Sequence, residues 1–179
     1  MRSFSLNSVS LRAVLLTLVI VAASVSTVFA YLQLNAKDTR VRVATALPPR
    51  ELSMELEKTV FNLGEDVSIT ISVKNIGNET ITVAWGSAAM FDFDVLDANG
   101  TFVYRFTYAY LFAFVEHRVS LFPGEEFSLT RKWDQTRMTV EGDKLLEYGI
   151  PVERDIYSIT GKLNSRGDIV TPPITITIV

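Results

Sequence analysis

Cysteine is absent from the 179 residues, and histidine occurs once, as His117. Without cysteine there are no disulfides, no thiolate nucleophile, no thiolate-held zinc or iron–sulfur centre and no cysteine-linked lipid. A single histidine argues against zinc or copper sites built on nitrogen ligands, and it allows at most one Ser-His-Asp arrangement. No Gly-x-Ser-x-Gly occurs, and Gly161-Lys162 lacks the upstream glycine and the Ser/Thr of a phosphate loop. His117 stands between Glu116 and Arg118 after an apolar run. It reads as an ordinary surface or partly buried histidine, not a general base. Asp92, Asp94 and Asp97 offer oxygen ligands but no calcium-loop spacing, and they read as the outward face of a strand followed by a turn. The expectation is therefore no catalytic residue, no metal and no cofactor, hence no enzyme.

Charge is unevenly spread. Met1 to Arg50 holds six Lys/Arg against one Asp, while Glu51 to Val179 holds eleven against nineteen Asp/Glu. An acidic domain repels phosphate backbones, so nucleic acid is not an expected partner. The basic N-terminal part contains twenty-four uncharged residues, 13–36, rich in Leu, Val, Ile and Ala. As a helix they would measure about 36 Å, enough to cross the hydrocarbon core of a bilayer. Val28-Phe29-Ala30 would permit signal-peptide cleavage before Tyr31, but the apolar run is longer than a signal peptide needs. The expected organisation is a tail at 1–12, a transmembrane signal anchor (or signal peptide) at 13–34, and a tether at 35–50. The tether closes on the stiff Leu47-Pro48-Pro49. A globular domain would then follow at 51–179, outside the cytoplasm and tied to the membrane by the anchor.

From Glu51 onward apolar and polar residues alternate with period two. Leu52, Met54 and Leu56 form one set, and Val67, Ile69, Ile71 and Val73 another. Ile81, Val83 and Trp85 continue the pattern, as do Phe91, Phe93 and Val95, then Phe102, Tyr104 and Phe106. Phe127 and Leu129 lead to Trp133; Tyr157, Ile159 and Leu163 follow, and Ile174, Ile176 and Ile178 end the chain. Asn75 to Asn78, Asn99-Gly100, Pro123-Gly124 and Ser165 to Asp168 supply turns, with Asn99-Gly100 suited to a type I′ hairpin. No long amphipathic helix and no internal repeat is present. Seven to nine short strands of this kind predict an all-β protein, a two-sheet β-sandwich, with a small barrel as the alternative.

Two stretches break the alternation pattern. Gln135 to Arg154 reads as a long connection. Thr107 to Val115 is apolar and aromatic throughout. Its Tyr108, Tyr110, Phe112 and Phe114 read either as one more core strand or as rings that cap the sandwich and bind a partner. Asn78-Glu79-Thr80 and Asn99-Gly100-Thr101 match the N-glycosylation pattern, at Asn78 and Asn99. Arg166-Gly167-Asp168 matches an adhesion tripeptide but is read as a turn.

The order of landmarks is distinctive. Phe61, Gly64-Glu65 and Val67 precede Ser72-Val73-Lys74-Asn75, Ile81-Thr82-Val83 and Phe91-Asp92-Phe93-Asp94-Val95. Asn99-Gly100, Val103-Tyr104-Arg105-Phe106, Leu121 to Glu125, Trp133-Asp134-Gln135, Tyr157 and Gly161-Lys162-Leu163 follow. Over residues 52–165 this resembles the BsuPI-type intracellular proteinase inhibitor domain. The resemblance implies an immunoglobulin-like sandwich and a protein partner, a serine proteinase among the candidates. Such binding needs a preorganised segment, and Thr107–Glu116 and Gln135–Arg154 are the candidates. The alternative is a surface adhesion or envelope-assembly domain on the same fold, with no inhibitory activity.

Overall fold

The computed structural model describes residues 39–142, 144–165 and 169–179. The expected anchor at 13–34 lies outside these residues. Among the described residues no helix is long and apolar enough to cross a membrane. Their regular structure is almost entirely strand, in chain order β1 (Val41–Leu47), β2 (Arg50–Leu56), β3 (Val60–Phe61), β4 (Val67–Asn75), β5 (Ile81–Trp85), β6 (Phe91–Asp97) and β7 (Phe102–Arg105). After the single helical turn α1 (Phe106–Ala109) come β8 (His117–Leu121), β9 (Glu126–Trp133), β10 (Thr136–Glu141), β11 (Lys144–Pro151), β12 (Ile156–Leu163), β13 (Ile169–Val170) and β14 (Ile174–Ile178).

Two larger sheets carry the core. One has the order β1-β2-β4-β9, and the other β3-β14-β12-β6-β7, with β13 also paired to β12. In the first, Leu52 stands opposite Val73, Met54 opposite Ile71 and Leu56 opposite Ile69, so one whole face is apolar. In the second, Ile159 pairs with Val95 and with Ile174, and Gly161 pairs with Phe93. Gly161 marks where the sheets approach closely. A Cβ there would lie 3.3 Å from Ile71 Cδ1 and 3.3 Å from Met54 Sδ, both on the facing sheet. The buried residues form one cluster. Trp85 packs on Phe91 and Phe127 at ring distances of 6.1 and 5.6 Å, and Trp133 packs on Tyr157 and Tyr104 at 5.6 and 6.4 Å. Val73 pairs with Phe127 and Val67 with Trp133, so these tryptophans sit at opposite ends of β4.

The sandwich expectation holds, with four corrections. The expected tether is largely part of the fold: Val41–Leu47 pairs antiparallel with Arg50–Leu56 along its full length, and Pro48-Pro49, joined by a cis bond, turns the hairpin. Val41, Val43 and Thr45 supply the half-buried side of that strand, an alternation hidden behind the two prolines. Asn75 to Asn78 does not turn a hairpin, because β5 leaves for a separate two-stranded ribbon with β8. The fully buried Asn75 amide makes that departure possible. Its Nδ2 donates to the carbonyls of Glu79 and Leu121 at 2.8 and 2.9 Å, and its Oδ1 accepts from Gly77 N at 2.9 Å.

Asn99-Gly100 is not a type I′ turn either. Among the described residues only Gln135 combines a side chain with a positive φ, so at this tip Gly100 alone, at φ 79°, is left-handed. The Asp97 carboxylate accepts from Asn99 N and Thr101 N and holds a longer turn instead. Gln135 to Arg154, expected as a connection, contains the β10–β11 hairpin, whose two register shifts blur the period-two signal.

Candidate functional site

At one side of the sandwich the edge strands of the two main sheets, β7 and β9, lie near one another, and the aromatic stretch after β7 fills that side. Phe106 stacks on Phe93 at 5.6 Å and receives the Arg131 guanidinium at 5.4 Å from its centroid. Tyr110 and Phe112 both pack on Phe106, at 4.8 and 5.8 Å, and meet each other edge-on at 6.4 Å. Tyr108 lies on α1, under the Arg105 guanidinium at 4.9 Å and beside Phe102. Beyond Tyr110 the chain has no regular structure until β8. Leu111 is 104% exposed and Phe114 94% exposed.

The core-strand reading of Tyr108 to Phe114 is therefore overturned. One helical turn rotates the register, and the rings no longer share a face. Tyr108 and Phe112 are half-buried supports, Tyr110 is half exposed, and Phe114 projects.

A second element joins this surface. The β10–β11 hairpin exposes Leu145, Leu146 and Tyr148, and the Tyr148 ring stands 6.3 Å from Tyr104. Burial, followed by the nearby Tyr148 and Tyr110 hydroxyls, pushes the Tyr104 phenol well above its ordinary range, so it stays a neutral hydroxyl. The hairpin thus meets the buried Tyr104 ring directly, on the same side where Phe106 and the aromatic segment pack against Phe93. A shallow hollow of about 500 Å³ separates Phe106, Tyr110, Leu111 and Phe112 from Thr130–Lys132 of β9. The Arg131 Nε is buried there with no hydrogen-bond partner among the described residues.

What holds the segment is a carboxylate pair that the sequence presents only as alternation. Asp92 is 4% exposed. Its Oδ1 accepts from Phe93 N and Thr107 N at 2.9 and 3.0 Å, and its Oδ2 accepts from the Thr107 hydroxyl at 2.6 Å. Burial pushes its pKa up, against the pull of those Thr107 and Phe93 bonds. Asp94 has the opposite sign. Burial raises it, but hydrogen bonds from Arg105 and Lys162 outweigh that and hold it below the usual carboxylate range. The Arg105 contact is bidentate, Nε at 2.7 Å and Nη2 at 2.9 Å. Asp92 and Asp94 do not face solvent as the alternation suggests: Asp92 is buried, and both carboxylates are committed to Thr107, Arg105 and Lys162 and serve to fix α1.

Elsewhere, a polar hollow of about 560 Å³ is lined by Arg50, Trp85, Glu116, Arg118 and Asn164, among others. Arg118 is paired with Glu116 at 2.8 Å, and Arg50 donates to Ser165. His117 stands opposite Trp85 in the β5–β8 ribbon. Among the described residues no group of three or more His, Cys, Asp or Glu is placed to hold a metal ion. Asn78 and Asn99 are exposed at loop tips.

The family model for the intracellular proteinase inhibitor BsuPI matches residues 54–150. The chain belongs to the BsuPI intracellular proteinase inhibitor family. The match ends inside β11, so it takes in the aromatic segment and nearly all of the hairpin. Family membership makes a proteinase-inhibitor-like domain, not an enzyme family, the frame for the site. It also corrects one expectation: a globular domain outside the cytoplasm conflicts with a family of intracellular inhibitors. With that placement goes the rationale for glycosylation at Asn78 and Asn99.

No curated protein matches the chain in sequence. Solved structures with partial likeness include the β-glucosidase EmGH1 of Erythrobacter marinus, at 17% identity and TM-score 0.40, over 78% of this chain and 16% of that one. The sporulation control protein Spo0M of Bacillus subtilis matches at 18% and 0.39, over 74% and 50%. The CARDB domain of the PF1109 protein from Pyrococcus furiosus, solved with di-metal ions, matches at 18% and 0.37, over 75% and 98%. This chain spans about a sixth of the glucosidase's length, and these likenesses fix neither activity nor partner.

Proposed function

We propose that this immunoglobulin-like domain is a non-enzymatic binding module that blocks a proteinase with the surface formed by residues 107–116 and the β10–β11 hairpin. The supporting observation is the combination of the family match with an apolar segment that projects from a braced base. Leu111 and Phe114 are almost wholly exposed, while Tyr110 and Phe112 pack on Phe106 and Asp92 clamps Thr107.

Exposed apolar side chains on a restrained backbone suit tight binding. Little conformational freedom is lost on docking, and their burial supplies the driving force. Tyr148, Leu145 and Leu146 on the hairpin extend the same surface into a contact patch with aromatic and aliphatic anchors. A serine proteinase, whose cleft accepts extended peptide segments, is the partner class proposed. The full chain, titrated into subtilisin or chymotrypsin with a chromogenic peptide, should inhibit hydrolysis at near-stoichiometric concentrations. Undiminished hydrolysis at micromolar protein across a panel of serine, cysteine and metallo-proteinases would remove this reading in favour of a non-inhibitory adhesion or assembly domain.

A further inference from the structure

We infer that Leu111 is the residue that enters the primary specificity pocket of the proteinase, and that the partner's pocket is therefore apolar. This rests on the proteinase-binding reading and adds to it the specificity-determining residue.

Around Leu111 the chain is built to present one side chain. Tyr110 leaves α1 with φ −135° and ψ 149°, an extended conformation that can pair as a strand along a proteinase cleft. The residues on either side of Leu111 turn their rings onto Phe106, which sends the intervening side chain outward. Both ends of the segment are tied. Upstream, Thr107 is held by Asp92, and downstream the Ala113 carbonyl accepts from Ala88 N at 3.0 Å. The Leu111 side chain thus projects just past the extended Tyr110, with a ring support on each flank and a backbone anchor beyond.

The other exposed apolar residues lack that setting. Leu145 and Leu146 belong to a strand whose backbone already pairs with β10, as Leu145 does with Val140. Phe114 lies past the Ala113 anchor, next to Val115 and the charged Glu116. Leucine is uncharged and branched, so it matches an apolar slot and gains nothing from the acidic floor of a trypsin-like pocket.

The test uses the full chain and three proteinases. Wild type should inhibit chymotrypsin and subtilisin and leave trypsin active. Leu111→Arg should weaken chymotrypsin inhibition at least ~100-fold, in line with the loss of a pocket-filling side chain. It should also create an interaction with trypsin, seen as inhibition or as a single cut after residue 111 identified by mass spectrometry. Leu111→Lys repeats the test with a second side chain. Val60→Ser, at an exposed position on β3 at the opposite edge of that sheet from β7, should change chymotrypsin inhibition less than ~10-fold, and circular dichroism should show all variants folded. Wild type that inhibits none of the three overturns the serine-proteinase assignment and the inference together. Wild type that inhibits chymotrypsin while both Leu111 variants retain its inhibition constant and remain inert to trypsin overturns the assignment of Leu111 alone.

Discussion

Between β2, β4, β6 and β12 the inward side chains are sealed from water, and Gly161 has no room for even one more carbon without a neighbour shifting. Along the β7–β9 side the chain does the reverse. It exposes Leu111 and Phe114, and the rings beneath them are only partly covered. The two regions contain similar residues. What separates them is what each side chain leans on: facing sheets cover both flanks of a core residue, whereas a single ring, Phe106, carries Tyr110 and Phe112. Stability should therefore depend on the first region and binding on the second.

Trp133→Ala gives the sharpest break of that division. The ring is fully buried against Tyr104 and Tyr157, and its Nε1 donates to the Thr136 carbonyl at 2.8 Å. Its removal should cost about 3–5 kcal/mol in denaturant unfolding, as for other large core truncations. Asp94→Ala comes next, at about 2 kcal/mol, because Arg105 and Lys162 lose a partly buried partner. Its pH signature is specific. The folded-state pKa is below the unfolded value, so the stabilisation is complete above the ordinary Asp range and is lost as pH falls through the depressed pKa. The Ala variant should lack that part of the acid limb in a pH series of urea melts.

Asp92→Asn should act in the opposite direction on pH and change stability at neutral pH by less than about 1 kcal/mol, since the amide oxygen still accepts from Phe93 N and Thr107 N. The raised pKa of Asp92 means that wild type loses stability as pH rises from the ordinary Asp value through the folded one, and the variant should not. Phe114→Ser should shift the unfolding midpoint by the equivalent of only about 0.5 kcal/mol or less, as expected for a fully exposed residue. If it destabilises as much as Asp94→Ala, the two regions are not independent.

The core was readable from sequence because each strand buries one face, and Leu52, Met54, Leu56, Ile69, Ile71 and Ile159 are all essentially inaccessible, as alternation demands. The parts that escaped have local causes. Pro48-Pro49 suggested a spacer where the chain turns a hairpin, and register shifts at Arg137/Met138 and Thr139/Val140 broke the pattern of β10. The aromatic segment is visible in the sequence, but alternation leaves a core strand and a cap of exposed rings equally readable, and the helical turn α1 breaks the strand register. Deciding which ones project required knowing that Thr107 is pinned by Asp92, fifteen positions away in sequence.

Gln135 gives the family resemblance a physical meaning. Buried and held at φ 57°, it accepts from Gly64 N at 2.7 Å and donates to the Asn62 carbonyl, locking the corner after Trp133 to the turn before β4. It is a keystone of the frame and touches nothing outside. None of the landmarks by which the chain is recognised falls between Thr107 and Glu116. Kinship of this kind certifies the handle and leaves the blade unspecified: a second chain with the same corner and a different residue in place of Leu111 would be the same tool ground for another lock.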